Sequence, residues 1–365
     1  MVSPDLDDIS SWQYDLPAEL IASRPAAKRD DSRLMIVRCD SGHIEHGKIR
    51  DLPDLLSAGD LLVFNNTKVL PARLFGFRTS TQGQWEGLFL EQLAAEHWKI
   101  TGQTRGKLTV GESLTLIPAH EVGLSPSDQL PQPDGALQLK LVERFADGTW
   151  RVLPNQPGNA VQLLEQFGTL PLPPYIGRKI ADAEDKTRYQ TVFANEPGAI
   201  AAPTAGLHFT PELLQRCAEH GINSSEVTLH VGIGTFRPVS SQRLSDHEMH
   251  AEWGRVPPEC ASSITAARAA GGKVVAVGTT CVRTIEAAAG QGTLADWHGS
   301  TDLFIKPGFD FNVTDQLLTN FHLPGSTLIV LVASMAGYDL TMEAYRQAVS
   351  EKYRFYSYGD AMLIL

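Results

Sequence analysis

The stretch KVVAVGTTCVRTIEAAAG, residues 273–290, decides the fold class of this 365-residue chain. Its first part carries an apolar run typical of a buried strand, and TIEAAAG favours a helix soon after it. The same succession recurs on both sides of this unit. Further strands are predicted at 33–39, 61–64, 225–231 and 361–365, and further helices at 17–29, 161–168, 210–221, 327–337 and 340–353. Strands that alternate with helices predict an α/β main domain.

The sequence changes character between residues 71 and 153. Glycine and proline turns there separate six short runs of β-strand composition: ARLFGFR, WEGLFLEQL, HWKITGQ, SLTLIP, LQLKLVERF and TWRVLP. Short strands at this spacing predict a small β-barrel or sandwich. Because strand–helix alternation resumes afterwards, we expect a discontinuous α/β catalytic domain, 1–70 and 154–365, with an inserted small β-barrel domain, 71–153.

Composition points to an ordinary globular protein, with 42% hydrophobic and 20% charged residues. No apolar run approaches the ~20 residues of a membrane helix. The acidic N-terminus lacks the apolar core of a secretory signal. Four widely spaced cysteines form no CxxC pair, which disfavours a zinc site or a disulfide framework. We therefore expect a cytoplasmic protein without a membrane partner. Separately from these observations, we expect an enzyme that acts as a monomer.

Charge is unevenly placed along the chain. The net charge of −11 argues against a surface that binds polyanions over the whole protein, but it leaves room for a local basic face. The windows 24–33 and 178–188 are locally basic. They hold Arg24, Lys28, Arg29 and Arg33, and Arg178, Lys179, Lys186 and Arg188. Each window is either a phosphate contact or, more simply, solvated surface charge.

The segment AAPTAGLHFT, 201–210, has the composition of a site. Its small residues allow a ligand to approach the backbone. The helix predicted after it, with Thr210 as N-cap and Pro211 as first helical residue, offers free N–H groups. A histidine there is placed to transfer protons near neutral pH. The alternative is a tight turn with a structural His208, and the residues alone favour neither.

Three other segments carry polar groups in constrained places. VTLHVGIGTF, 227–236, has a glycine loop that lacks the third glycine of a dinucleotide fingerprint. HEMHAE, 247–252, lacks metal-site spacing, so we predict no metal. In VGTTCVRTIE, 277–286, Thr279 or Thr280 is expected to cap a helix. A cation near that helix start, Arg283, then needs an anionic partner, either a ligand or an acidic side chain.

These segments together resemble one family, the S-adenosylmethionine:tRNA ribosyltransferase-isomerases of queuosine biosynthesis. The matching stretches run through nearly the whole chain in the family's order. They are YDLPAELIA, RDDSRLM, GDLLVFNNTKVLPARLFG, AAPTAGLHFT, TLHVGIGTFRPV, MHAE, VGTTCVRTIE, LLTNFHLPGSTL and YRFYSYGDAMLI. Residues 77–150 match least, where the family's β-barrel domain would lie.

The resemblance implies a reaction between two substrates. The ribosyl unit of S-adenosylmethionine would pass to 7-aminomethyl-7-deazaguanine at the tRNA wobble position and isomerise to epoxyqueuosine, with release of adenine and methionine. S-Adenosylmethionine is then a co-substrate, and no cofactor is implied. The partner would be the anticodon region of tRNA.

The matched motifs supply the candidate site residues. Acid and base candidates, with roles unassigned, are His208, His230, His250, Glu252 and His322. Candidates for substrate binding are Asn65, Asn66, Thr67, Lys68, Arg73, Thr204, Gly206, Phe209, Gly232, Gly234, Thr235, Thr279, Thr280, Arg283 and Asn320.

Two other functions stay open on the residues alone. One is a different S-adenosylmethionine or nucleotide enzyme that uses the glycine loop, which turnover without tRNA would favour. The other is a non-catalytic RNA-binding module built on the β insertion. The many histidines and threonines in the matched loops weigh against that module.

Overall fold

A computed structural model of the chain describes residues 4–123, 136–232, 234, 241–290, 292 and 294–365. Its strands are Arg33–Val37 (β1), Ile44–Lys48 (β2), Leu61–Asn65 (β3), Thr67–Val69 (β4), Arg73–Arg78 (β5), Gln84–Gln92 (β6), Trp98–Thr104 (β7), Ser113–Leu116 (β8), Gln138–Arg144 (β9), Trp150–Pro154 (β10), Gly168–Thr169 (β11), Glu196–Ala199 (β12), Asn223–Leu229 (β13), Glu252–Val256 (β14), Val274–Val277 (β15), Trp297–Thr301 (β16), Gln316–Asn320 (β17) and Ala361–Ile364 (β18). Its α-helices are Leu52–Leu55 (α1), Ala160–Phe167 (α2), Ala183–Arg188 (α3), Pro211–Glu219 (α4), Pro258–Ala269 (α5), Thr279–Ala289 (α6), Thr327–Ala336 (α7) and Tyr338–Ser350 (α8).

The main sheet has the strand order β16-β14-β13-β3-β15-β17-β18-β1-β2. Its four central strands, β13, β3, β15 and β17, run parallel. Alternate residues of β3 enter different cores: Leu62 packs in the cluster that includes Leu213 of α4, and Val63 in the cluster that includes Ile285 of α6. Helices therefore cover both faces, which confirms the predicted α/β main domain.

The second sheet closes on itself. It has the order β11-β5-β6-β7-β10-β9-β8, and an additional pairing of β5 with β8 completes a six-stranded barrel. Gly76 lies at this closure, where a Cβ atom would collide with the backbone of Thr115. The interior is filled by large apolar side chains such as Trp85 and Trp98. The barrel in the fold class is thereby confirmed, while the domain boundaries at residues 70 and 154 stay predictions.

The helix predicted at 17–29 is wrong. The structure has only short 3-10 turns there, at Ala18–Leu20 and Arg29–Asp31. Between them Ile21 pairs with Phe355 in an isolated β-bridge. Pro25 has no amide hydrogen and disfavours helical geometry at the preceding residue, so the segment is extended instead.

The residue predicted to cap the helix start is right for α4 and wrong for α6. Thr210 caps α4, with its side chain accepting from the amide of Leu213, and Pro211 is the first helical residue, as expected. Ser326 likewise caps α7. The expected threonine cap of α6 is wrong, because Gly278 is the N-cap and no side chain caps that helix. Arg283 consequently lies in the second turn of α6 rather than the first.

No single helix in the described ranges is long and apolar enough to cross a membrane. Helices α7 and α8 would suffice only together, and the chain bends by 118° between them. The low-hydrophobicity stretch HEVGLSPSDQLPQPDGA, 120–136, predicts a linker between strands of the barrel. Most of this stretch and the candidate Thr235 lie outside the described residues.

Candidate active site

A cavity of about 360 Å³ opens at the carboxyl ends of the central parallel strands. The residue after β15, Gly278, and the last residue of β17, Asn320, both line it. Small side chains of the segment 201–205 form another wall. In open α/β sheets this edge is where ligands bind. The lining residues are Pro174, Tyr175, Tyr189, Ala201, Ala202, Pro203, Thr204, Ala205, Val231, Gly278, Thr279, Thr280, Thr319, Asn320, Phe321, His322, Leu323, Pro324, Gly325, Ser326, Leu328, Tyr356 and Ser357.

Two helices begin at the cavity wall. Helix α6 starts after Gly278, which has a φ of 96° and leaves the helix without a side-chain cap. Helix α7 starts after Ser326, whose side chain caps its own helix. The first N–H groups of α6 therefore have no capping side chain as acceptor. The positive end of the helix dipole faces the cavity. Beside them, the buried Oγ1 atom of Thr280 has no hydrogen-bond partner among the described residues.

Aromatic rings form another part of the cavity wall. Tyr175 and Tyr356 lie 4.0 Å apart between ring centroids, at 34° between ring planes. The hydroxyl of Tyr175 is hydrogen-bonded to Ser357. Tyr356 has a φ of 72°, which is unusual for a bulky residue. Its carbonyl accepts from Nδ2 of Asn320 at 2.8 Å, and its amide donates to Phe321 at 3.2 Å. These two hydrogen bonds hold the strained residue against the end of β17.

His322 is the one candidate acid or base that lines this cavity. Its Nε2 atom lies 2.9 Å from the hydroxyl of Thr319, and its carbonyl accepts from Tyr14. Burial lowers the pKa of His322 to about 3. The imidazole is therefore neutral at pH 7, and it is a weaker base than an ordinary histidine.

His208 lies behind the cavity wall rather than in it. Burial lowers its pKa to about 4, although the charge of Asp360 and the side chain of Asn320 act in the opposite direction. Its Nε2 atom has no hydrogen-bond partner in the part of the chain that the structure describes. His208 is thus a neutral group whose imidazole lies against the side chain of Asn320.

Both carboxylate oxygens of Glu252 have partners within the protein. Its carboxylate forms a buried ion pair with Arg283 and accepts from the amide of Gly232 at 2.8 Å. Arg283 also donates to the carbonyls of Leu303 and Thr301. The anionic partner expected for Arg283 is therefore an acidic side chain. The pair fixes the glycine loop that follows Val231 in the cavity wall.

Asn65, the last residue of β3, and the adjacent Asn66 join strands instead of lining the cavity. Asn65 donates to the carbonyl of Leu229 and accepts from its amide, both at 3.0 Å. Asn66 accepts from Thr228 at 2.8 Å and donates to Glu226 at 3.0 Å. These side chains fix β13 on β3.

His230 is held beside this strand pair. Its Nδ1 atom lies 2.8 Å from the hydroxyl of Thr67, and its ring stacks on Trp253 with 5.1 Å between centroids. Burial lowers the pKa of His230, which the charge of Glu196 partly opposes. His230 precedes the cavity-lining Val231 but is not itself in the cavity wall.

Of the remaining candidates, some line the cavity and the others lie outside it. Thr204, Thr279, Thr280 and Asn320 line the cavity. Phe209 is fully buried and packs against Phe64, so it offers no surface to a ligand. Gly206 is needed because Phe193 leaves no room for a Cβ atom. The others lie outside the cavity lining: Lys68 and His250 are exposed, Arg73 pairs with Glu86 on the barrel, and Gly234 packs under the ring of His250.

Sequence reasoning missed the aromatic residues of the cavity. Tyr175 and Tyr189 flank the basic window 178–188 and were not among the candidates. Tyr356 belongs to YRFYSYGDAM, for which packing on the core is the simpler interpretation, and its neighbours Phe355 and Tyr358 are buried in that way. The available signal was the tyrosine in the proline-rich loop LPLPPYIGR, since prolines hold such a loop extended.

The two basic windows pack against each other. Arg188 donates to the carbonyls of Ala26 and Ala27. Arg178 pairs with Asp185, and Arg24 pairs with Asp182. Most of the arginines in these windows therefore serve internal contacts rather than an open basic face. Across the described ranges, no group of three or more His, Cys, Asp or Glu residues is placed to hold a metal ion.

Comparison with known proteins agrees with this geometry. A family model described as queuosine biosynthesis protein matches residues 9–364. The S-adenosylmethionine:tRNA ribosyltransferase-isomerase of Symbiobacterium thermophilum is 47% identical over 360 residues, covering 98% of this chain and 99% of the relative. That of Desulfitobacterium hafniense is 44% identical over 358 residues, with coverage of 98% and 99%. The crystal structure of S-adenosylmethionine tRNA ribosyltransferase from Thermotoga maritima is 36% identical, with a TM-score of 0.54 and coverage of 98% and 100%. The chain therefore belongs to the queuosine biosynthesis protein family.

Proposed function

We propose that this chain is an S-adenosylmethionine:tRNA ribosyltransferase-isomerase. It transfers the ribosyl moiety of S-adenosylmethionine to 7-aminomethyl-7-deazaguanine at the tRNA wobble position and isomerises it. The products are epoxyqueuosine-tRNA, adenine and methionine. The observation that carries the proposal is the cavity at the carboxyl ends of the central strands, which combines an uncapped helix start, an aromatic wall and a neutral histidine.

The methionine carboxylate binds at the start of α6. Gly278 has no side chain to occupy the first amides of the helix, and Thr280 adds a buried hydroxyl that has no hydrogen-bond partner among the described residues. Helix starts of this kind attract anions through free N–H groups and the helix dipole. The carboxylate is the only anionic group of S-adenosylmethionine, so this contact orients the whole molecule.

The aromatic wall suits the other end of the co-substrate. The rings of Tyr175 and Tyr356 present a flat surface for adenine, and aromatic faces also attract the positive sulfonium group. A volume of about 360 Å³ lies at the small end of the range for ligand sites, which fits one nucleoside-sized molecule. The wobble nucleotide then enters from the open side.

The proton transfers fall to His322. The attacking alkylamine has a pKa near ~10 and arrives protonated, so it must lose a proton before it can act as a nucleophile. His322 lines the cavity and is neutral at pH 7, but with a pKa of about 3 it is a far weaker base than the amine, so it can hold that proton only transiently. The imidazolium that results is a strong acid in this buried place, and it can return the proton to adenine as the base leaves. One histidine thereby serves both steps.

Adenine release provides the direct test. Purified protein, S-adenosylmethionine and tRNA carrying the deazaguanine precursor should yield adenine and methionine in equal amounts. The same tRNA with guanine at the wobble position is the matched control and should yield neither. Adenine release without tRNA would point to a different S-adenosylmethionine enzyme, and no release with the precursor tRNA would refute the proposal.

A further inference from the structure

Strand β14 buries one face and leaves the other face exposed. Glu252, Gly254 and Val256 are buried, whereas Trp253 and Arg255 alternate with them and are exposed. Because successive side chains of a strand point to opposite faces, the two exposed side chains share one face of the sheet. Trp253 is 42% exposed, so a large part of its indole ring is in contact with solvent. This face is open to a partner.

The exposed indole is held in place by a second ring. His230, the residue after β13, donates its amide to the carbonyl of Trp253 at 2.9 Å. The two rings stack with 5.1 Å between centroids and 23° between planes. The imidazole is fixed in turn, because its Nδ1 atom lies 2.8 Å from the hydroxyl of Thr67 and the backbone of Gly198 packs over the ring, where a Cβ atom would lie only 2.5 Å away. The stack of Trp253 and His230 is therefore a preformed aromatic surface.

A cation accompanies this aromatic surface. Arg255 is exposed, and its guanidinium forms no ion pair with any described residue. Across the strand pair it lies opposite His298 of β16, which is also exposed. Glu226, on the same face of β13, accepts from Asn66 at 3.0 Å and does not pair with Arg255. An aromatic ring beside a free cation is the combination with which proteins bind single-stranded RNA.

The stack of Trp253 and His230 lies next to the cavity. His230 is followed directly by Val231, which lines the cavity wall. Glu252, the residue before Trp253, accepts from the amide of Gly232 at 2.8 Å, so both sides of the stack are joined to the same loop. Consecutive Cα atoms are only about 3.8 Å apart. A nucleotide that enters the cavity therefore has its neighbour along the strand within reach of the exposed indole.

We propose that Trp253 stacks an unpaired anticodon-loop base adjacent to the wobble nucleotide, while Arg255 contacts a phosphate of the same strand. The inference rests on the proposed function, which takes tRNA as the substrate. Stacking on an aromatic side chain suits this task because every base has a π-face, so the contact tolerates the different anticodons that share a wobble base. The contact holds the RNA strand beside the cavity while the wobble base is inside it.

Binding of an anticodon stem-loop tests the assignment without turnover. The probe carries 7-aminomethyl-7-deazaguanine at the wobble position and the fluorescent base 2-aminopurine at the preceding or the following position. The wild-type protein should quench the fluorescence at one of these positions through stacking. Trp253→Ala should abolish the quenching and weaken binding about 10- to 100-fold, whereas Trp253→Phe keeps a ring and should stay within a few-fold of the wild type. Arg255→Gln leaves the stack intact and should reduce the slope of log affinity against log salt concentration by about 0.7.

Val110→Ala is the matched control, because it trims another exposed apolar side chain, between β7 and β8, and should bind the stem-loop like the wild type. Binding of S-adenosylhomocysteine should be the same in all variants, since Trp253 and Arg255 lie outside the cavity lining.

Wild-type affinity for the stem-loop in Trp253→Ala would overturn the inference. So would a Trp253→Ala protein that binds both the stem-loop and S-adenosylhomocysteine more weakly, because the indole would then serve only packing. A wild-type dimer that Trp253→Ala dissociates would assign this face to a second copy of the chain and overturn the inference as well. A wild-type protein that neither binds the stem-loop nor releases adenine would instead refute the proposed function.

Discussion

Glu252 and Arg283 form an ion pair whose side chains are only 7% and 8% exposed. The pair joins β14 to α6 and, through the amide of Gly232, holds the glycine loop. Removing one member of a buried pair leaves an uncompensated charge. The contact therefore explains why the two residues occur together in the matched motifs without requiring either to touch a substrate.

Glu252→Ala should lower the free energy of unfolding by about 3 kcal/mol or more, because Arg283 would remain buried without its partner. Urea unfolding followed by circular dichroism measures the change. His250→Ala, an exposed position two residues away, is the control and should change stability by less than ~0.5 kcal/mol. A Glu252→Ala protein as stable as the wild type but unable to release adenine would show that Glu252 has a chemical role instead.

His322 makes the protein sensitive to acid. Its pKa is about 3 in the folded protein, below the ordinary value of 6.5, so the unfolded chain binds a proton that the folded chain does not. The neutral form costs no stability above pH 6.5. Stability then falls by roughly 1.4 kcal/mol per pH unit as the pH drops from 6.5 toward 3.

His322→Gln should remove this contribution. Unfolding then takes up one proton fewer below pH 6.5, and the free energy of unfolding depends less steeply on pH. Urea midpoints at pH 7, 6 and 5 give the slope. The pKa of His208 is about 4 in the folded protein, so His208→Gln should likewise remove the uptake of one proton on unfolding, over the window from pH 6.5 to 4. His43→Gln, at an exposed position, should keep the wild-type slope. Parallel profiles for His322→Gln and the wild type would contradict the prediction.

Local signals in the sequence predicted the elements that local interactions form. Thr210 and Pro211 mark a helix start through contacts within one turn, and the structure has that start. The short strands of 71–153 carry their own turn residues, so the barrel could be predicted. The segment 17–29 failed because its conformation depends on Phe355, which lies more than 300 positions away.

The site was harder to predict for the same reason. Asn65 and Asn66 have residue types suited to binding, but the strand pairing gives their polar atoms partners on β13. Tyr175 and Tyr356 line the same cavity but come from distant segments, and neither segment alone shows that the two rings are in contact. A motif identifies residues that matter, whereas only the packing shows which of them stay free for a ligand.

Arg29 links three segments behind the cavity. Its guanidinium donates to the carbonyls of Leu207, Thr187 and Gln190, each at 2.9 Å. Burial lowers the pKa of Arg29 to about 10, so it remains charged at neutral pH. Arg29→Ala should cost about 2 kcal/mol or more, because hydrogen bonds from a charged donor are lost and acceptors are left open.

Arg29→Lys should recover only part of that loss, since an ammonium group lacks the planar fork that spans the three carbonyls. Hydrogen exchange of residues 187–190 and 204–209 reports the local loosening. Lys28→Ala, the exposed neighbour, should leave exchange unchanged. Equal protection of these amides in Arg29→Ala and the wild type would show that packing alone holds the segments.

We expect tRNA binding to depend on salt concentration because lysines of the basic windows contact phosphates. Arg24, Arg178 and Arg188 are engaged by acidic side chains or backbone carbonyls. Lys28 and Lys186 are exposed, and Tyr175 and Tyr189, on either side of the second window, line the cavity. A wobble base in the cavity would bring its flanking phosphates toward these lysines.

Each phosphate contact should release counterions and add roughly 0.7–0.9 to the slope of log affinity against log salt concentration. Lys28→Gln and Lys186→Gln should each reduce the slope by about that amount, measured by filter binding from 50 to 300 mM salt (about the range in which such contacts weaken). Arg24→Gln, which removes a cation already paired with Asp182, should change the slope much less. If affinity does not vary with salt, or if Arg24→Gln matches the lysine variants, phosphate contacts by these lysines are refuted and the anticodon arm must approach the cavity from another side.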